Sequence, residues 1–273
     1  ANILDTVLPK AVKIALKLGG DKRYLSMLNT YSDAGEFPLE LNLDGNQTIV
    51  QTVDSISQMI SDPFIFGRIS ALHALSDLAV SNAIPLTALS MINIQRAKRN
   101  LQESDLTNML SGALLEFSKA KIKLIGGHTS QSFENTLGFA LTGIKKNTTH
   151  FESSKLLEKE RQTTFSIILT KPLGIGIILA ASMRNLVSEQ NYQECIDCML
   201  KSNLKPAQFL WKNGAVAMTD VTGFGLARHI ENITMDLQNH FGVDIGAQLT
   251  LSNIPMIDGV QQILEKTSIR ATL

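Results

Sequence analysis

Cysteine is scarce in this chain of 273 residues, and Cys195 and Cys198 are the whole supply. They form a lone C-x-x-C within Gln193-Glu194-Cys195-Ile196-Asp197-Cys198-Met199-Leu200, and no second Cys or His pair completes a zinc site. The surrounding pattern is helical, so both are expected to be ordinary helix residues without metal or redox work. The five histidines are dispersed, with no H-x-x-x-H pair. An excess of either charge is lacking too: 25 basic and 25 acidic residues cancel, leaving no general field to attract a polyanion. Nucleic acid is therefore not an implied partner, and any phosphate binding has to come from local geometry. No run has the length and charge-free character of a membrane span, and the first residues lack the basic-then-apolar pattern of a signal peptide. A cytoplasmic location without membrane contact is the expectation.

What is present is a run that packed secondary structure has no use for: Thr219-Asp220-Val221-Thr222-Gly223-Phe224-Gly225. Each glycine gives up side-chain burial and each polar group asks for a partner. A backbone brought close to an anion or a metal does need that mixture. The helical-looking Leu226-Ala227-Arg228-His229-Ile230 follows, and a helix N-terminus offers free N–H groups there.

Three more carboxylates keep similar company: Asp33 in Ser32-Asp33-Ala34-Gly35, Asp54 at the end of the apolar run Thr48 to Val53, and Asp77 in Ala74-Leu75-Ser76-Asp77. An Asp at a strand's end, or on an otherwise apolar helix face, costs desolvation energy unless something cationic meets it. Mg²⁺ is usually held by one or two protein carboxylates together with substrate phosphates, so these residues point to a Mg-nucleotide site. Plainer roles exist for each: Asp33 as a turn residue, Asp77 on a helix surface, and Asp54 as the cap of the next helix. Asp220 is the hardest to explain without a ligand.

At 44% hydrophobic content the chain can build one large core or two of ordinary size, and two domains are expected. Residues 3 to 18 follow helical spacing, interrupted by Pro9. Strands are predicted over 48–53, 86–94, 122–125 and 137–144, alternating with helices over 64–80 and 101–120. Gly126-Gly127-His128-Thr129 is expected to follow a strand, and the polar 145–150 to mark a boundary between domains of 1–150 and 151–273. Beyond it, strands are predicted over 166–170, 215–218 and 247–251, with helices from Ile177 and from near Asp258.

These motifs, in this order, resemble selenophosphate synthetase (selenide, water dikinase), of the family that also contains aminoimidazole ribonucleotide synthetase and thiamine-monophosphate kinase. The resemblance rests on Gln51-Thr52-Val53-Asp54, Asp62-Pro63-Phe64 with Phe66-Gly67-Arg68-Ile69, Ala74-Leu75-Ser76-Asp77, Gly126-Gly127-His128-Thr129, Leu169-Thr170-Lys171-Pro172-Leu173-Gly174-Ile175-Gly176 and residues 219–225. It implies an α/β fold of the α+β sandwich type, with an N-terminal ATP-binding domain and an incomplete C-terminal one. The implied reaction turns selenide, ATP and water into selenophosphate, AMP and phosphate.

By position, the resemblance makes Asp33, Asp77 and Asp220 ligands of Mg²⁺, and brings Asp54 and Asp77 to the nucleotide phosphates. Thr30, Tyr31 and Ser32 would lie along the nucleotide. Gly127, His128 and Thr129 match a loop that takes ATP across the dimer interface in this family, so a homodimer is implied. Two departures are visible. Asn2 stands where the family has its catalytic Lys, with the family's Cys or selenocysteine falling before Ala1. Ser32 stands where the family often has a second Asp. These departures and the C-terminal end point to a fragment of a longer product, with normal turnover by the chain as written put in question. The alternatives are a nucleotide-binding relative without selenide chemistry and another ATP-using member of the superfamily.

Overall fold

Asp62 starts the helix that organises the fold. Its carboxylate accepts hydrogen bonds from the amides of Phe64 at 2.8 Å and Ile65 at 3.1 Å, and Pro63 occupies the first turn, where its missing N–H is no loss. The computed structural model describes residues 35–38, 47–146, 164–242 and 244–269. Among these, the strands are β1 (Gly35–Pro38), β2 (Gln47–Ser57), β3 (Ile84–Gln95), β4 (Lys123–Ser132) and β5 (Thr136–Lys146). The helices are α1 (Pro63–Val80), α2 (Arg99–Ala120), α3 (Ile175–Ser182), α4 (Glu189–Met199), α5 (Leu204–Lys212), α6 (Gly225–Phe241) and α7 (Val260–Lys266). The mixed α/β class expected from the sequence is what the chain adopts.

The five strands form one sheet in the order β1-β2-β5-β3-β4. Every neighbouring pair is antiparallel except β3 and β4, which run parallel and are joined through α2. Strand alternation sends Val50, Ala88, Ile92, Leu137, Phe139 and Leu141 to one face, where α1 and α2 cover them. Phe117 of α2 meets Phe139 of β5 edge to face, with ring centroids 4.8 Å apart. Ser70 of α1 donates to the carbonyl of Leu137 at 2.6 Å, which satisfies a buried hydroxyl and ties helix to sheet.

The two helices approach closely because both carry glycine at the contact. A Cβ on Gly67 would overlap the backbone carbonyl of Met109, and one on Gly112 would overlap that of Phe64. Beside this contact the buried Glu116 is paired with Arg68 at 2.6 Å and Lys119 at 2.8 Å, so its charge is compensated.

Residue contacts divide the chain into two compact units, one of 33–220 with 248–273, the other of 1–32 with 221–247. The boundary expected near residue 150 borders residues 147–163, outside those described. In the larger unit α3, α4 and α7 bury Ile178, Cys195, Ile257, Val260 and Ile263 together. Cys195 and Cys198 are buried on α4, as helical context implied, and desolvation pushes the Cys195 thiol up to about 12, which opposes thiolate chemistry. α5 is fastened to α1 by Asn203, which donates to Ser76 Oγ at 2.8 Å, and by the Trp211 indole, which donates to the Ala79 carbonyl at 3.3 Å. In the smaller unit the Thr222 amide donates to Nε2 of His229 at 3.1 Å.

Several expectations need correction. Residues 166–170, 215–218 and 247–251 form no strands. Their β-favouring residues find no neighbouring strand among the described residues, only an isolated parallel bridge between Leu173 and Met256. A strand is stabilised by its partners more than by its own propensity. The chain at Leu251–Asn253 turns into a short 3₁₀ helix instead. Conversely, β2 and β4 run longer than predicted. Asp54 therefore lies within its strand rather than at the end, and Gly126-Gly127-His128-Thr129 is itself strand. Among the described residues no helix is long and apolar enough to cross a membrane.

Candidate active site

On β2, Thr52 and Asp54 are two residues apart and so share the face that looks toward α1. On α1, His73 and Asp77 are four apart and share a helix face. The pairs meet. Thr52 donates its hydroxyl to Oδ2 of Asp77, and His73 Nε2 lies 2.7 Å from Oδ2 of Asp54. The other oxygen of Asp54 accepts the amide of Ser55 at 2.9 Å. Side chains of both His73 and Asp54 remain about one third exposed, at 32% and 31%, so a ligand can reach them.

His73 reports the local field. Its pKa is raised above 6.5, chiefly by the hydrogen bond to Asp54, with the charges of Asp54, Asp220 and Asp77 adding to it and burial opposing it. Asp220 stands at the end of residues 215–220, which form neither helix nor strand, and its carboxylate nonetheless bears on the same imidazole as Asp54 and Asp77. Two of the carboxylates singled out in the sequence, Asp54 and Asp77, thus meet between β2 and α1, and the charge of a third, Asp220, acts on the same histidine. The fourth, Asp33, lies outside the described residues, as do Asn2, Thr30, Tyr31 and Ser32.

This concentration of hard oxygen donors suits Mg²⁺ better than a soft metal. Among the described residues no three His, Cys, Asp or Glu side chains are grouped closely enough to hold a metal by themselves. His73 was missed by sequence reasoning. Its signal was present in His73-Ala74-Leu75-Ser76-Asp77, where helical spacing sets an imidazole one turn before a carboxylate.

Gly127, His128 and Thr129 are not brought to this group. They pair with Ser90, Met91 and Ile92 on the edge strand β4, with β5 and β3 intervening before β2. Three strand spacings amount to roughly 14 Å. Gly127 is required by its neighbour, since a Cβ there would overlap the Ser90 backbone.

A sequence profile of the family described as AIR synthase related protein, N-terminal domain, matches residues 32–144. The selenide, water dikinase of Carboxydothermus hydrogenoformans is 32% identical over 240 residues, covering 88% of this chain and 64% of the relative's length. That of Geobacter metallireducens is 31% identical over 257 residues, covering 94% of this chain and 70% of the relative. The chain thus spans about two thirds of the curated relatives it matches. Among solved structures, AaThiL complexed with AMPPCP and TMP superposes with a TM-score of 0.64 at 17% identity, over 92% of this chain and 76% of that one. At that identity the likeness is one of fold.

Proposed function

This chain belongs to the selenide, water dikinase family, and on that premise we propose that it binds ATP with Mg²⁺ and supports formation of selenophosphate from selenide, ATP and water, releasing AMP and phosphate. The observation that carries this reading is the pair of contacts, His73 with Asp54 and Thr52 with Asp77, that sets two carboxylates close together between β2 and α1. Phosphoryl transfer chiefly requires alignment and neutralisation of charge, and neighbouring carboxylates serve that need when a cation and phosphates arrive together.

In this reading Asp33, Asp77 and Asp220 hold Mg²⁺, and Asp54 and Asp77 approach the phosphates. When bound, Mg²⁺ would offset the charge on the phosphate oxygens. Thr52 keeps the Asp77 carboxylate oriented through its hydroxyl, and Ser55 and His73 do the same for Asp54. Thr30, Tyr31 and Ser32 would run along the nucleotide.

We further propose a homodimer in which Gly127, His128 and Thr129 of one copy serve the nucleotide of the other. Their separation from Asp54 within one chain supports this, as does the face of the sheet turned away from the helices. There Val53 is 62% exposed, Ile125 62% and Leu89 44%, and Val53 and Leu89 flank Ala140 in register. An apolar patch of that kind on an enzyme calls for a partner. The proposed setting is the cytoplasm, where ATP is supplied.

Calorimetry with AMPPCP and Mg²⁺, separately and together, tests the binding half; tight binding only in combination is expected. Detection of selenophosphate by ³¹P resonance under anaerobic conditions tests the chemistry. A second reading, nucleotide binding without selenide chemistry, is favoured by Asn2 at the position of the family's catalytic Lys. Joint binding with no selenophosphate would select it.

A further inference from the structure

Both oxygens of Asp54 are already engaged by the protein, Oδ2 with His73 at 2.7 Å and Oδ1 with the Ser55 amide at 2.9 Å. A carboxylate held twice in this way has its orientation set by the protein, and it stands beside Asp77, which the proposed function assigns to Mg²⁺. An unheld Asp54 beside Asp77 would have to be ordered when metal and phosphates arrive, and His73 orders it beforehand. It is placed to do so by the fold, since it leaves α1 one turn before Asp77 and reaches the strand two residues beyond Thr52.

We propose that His73 is a positioning residue for the Mg-nucleotide site: acting through Asp54, it fixes the orientation of that carboxylate beside Asp77. The inference rests on the Mg-nucleotide reading above. The imidazole carries the work by its Nε2 contact, so an amide nitrogen at the same reach preserves the hold on Asp54 where a methyl group abolishes it.

The experiment is calorimetric titration of the chain with AMPPCP in the presence of Mg²⁺, for the parent, His73→Ala, His73→Gln, Asp54→Asn and the His73→Ala/Asp54→Asn double variant, with melting temperatures measured alongside. His73→Ala is expected to weaken binding by about tenfold or more, the loss associated with a charge-assisted hydrogen bond. His73→Gln should recover to within about threefold of the parent, a rescue that loss of helix packing alone would not allow. In the Asp54→Asn background His73→Ala should add no further loss, because the two residues act as one unit. A His73→Ala chain that melts earlier but binds as the parent does would overturn the proposal and leave the site reading intact. Full additivity of the two substitutions, or no recovery in His73→Gln, would also overturn it. A parent chain that binds no Mg-nucleotide would sink the site reading and this inference with it.

Discussion

Thr52 and Asp77 are joined hydroxyl to carboxylate across the gap between β2 and α1. Two residues further along the strand, Asp54 meets His73, which is four residues back along the helix. A two-residue step on a strand covers about 6.8 Å. A four-residue step on a helix covers about 6.0 Å, so the strand and helix stay matched over both contacts. The site is therefore a two-rung link between antiparallel elements, and disturbing one rung is felt at the other.

Thr52→Val keeps the shape of the side chain and removes the hydroxyl. Binding of AMPPCP with Mg²⁺ should weaken by about tenfold or more, the share of one hydrogen bond to a charged group, with a small fall in melting temperature. Calorimetry on the two proteins checks this, and equal affinities would mean that Asp77 needs no orienting partner.

Asp220→Asn preserves size and removes one charge from the group facing His73. Loss of even an outer partner costs a metal site about tenfold or more, so Mg²⁺ affinity in the presence of AMPPCP should fall at least that far while the ligand-free melting temperature holds. A sharp drop in melting temperature with unchanged nucleotide binding would show that Asp220 serves the fold.

Stability should depend on pH through His73. Its folded pKa is raised above 6.5, so its contribution is fully present below 6.5 and is lost as pH rises through the folded value. The ligand-free chain should thus melt progressively earlier as pH climbs from 6.5, and His73→Gln should flatten that slope. Thermal melts across this range on both proteins are the measurement; parallel slopes would assign the dependence to other groups.

Gly67→Ala places a methyl group into the Met109 carbonyl and must push α1 and α2 apart. The cost should be about 1–3 kcal/mol or more, visible as a lower urea midpoint with an unchanged slope. A midpoint equal to the parent's would show that the two helices separate without loss.

Val53→Asp sets a charge on the exposed sheet face beside Ala140. If that face joins two copies, sedimentation should find the variant monomeric where the parent is dimeric. A parent that is itself monomeric would remove the homodimer from the proposed function.

The sequence disclosed α1 well, because Asp62-Pro63 is a start signal with a local mechanism and the apolar run behind it is long. It also singled out Asp54, Asp77 and Asp220, since each carried a charge that its apolar or glycine-rich surroundings could not satisfy, and the first two lie on facing positions of β2 and α1. Strand positions in the later part were not legible: Ile167 and Ile168 have β-favouring side chains, but they are 54% and 65% exposed and pair with nothing described. Pairing is decided by distant residues, and local pattern is blind to it. His73 escaped for a related reason: its helical spacing from Asp77 was visible, but its contact with Asp54, on another element, was not.

The place of β5 in the sheet bears on how the molecule comes into being. β5 inserts between β2 and β3, and Phe139 sits opposite Asp54 in the ladder. Asp54 and His73 are made close together, yet the strand that pairs along Asp54 emerges only after β3, α2 and β4 have been made. Nonlocal closure of this kind slows folding. Until residue 146 is available the nascent chain therefore lacks the strand that pairs along Asp54, and a pause in synthesis before that point would leave β2 without it.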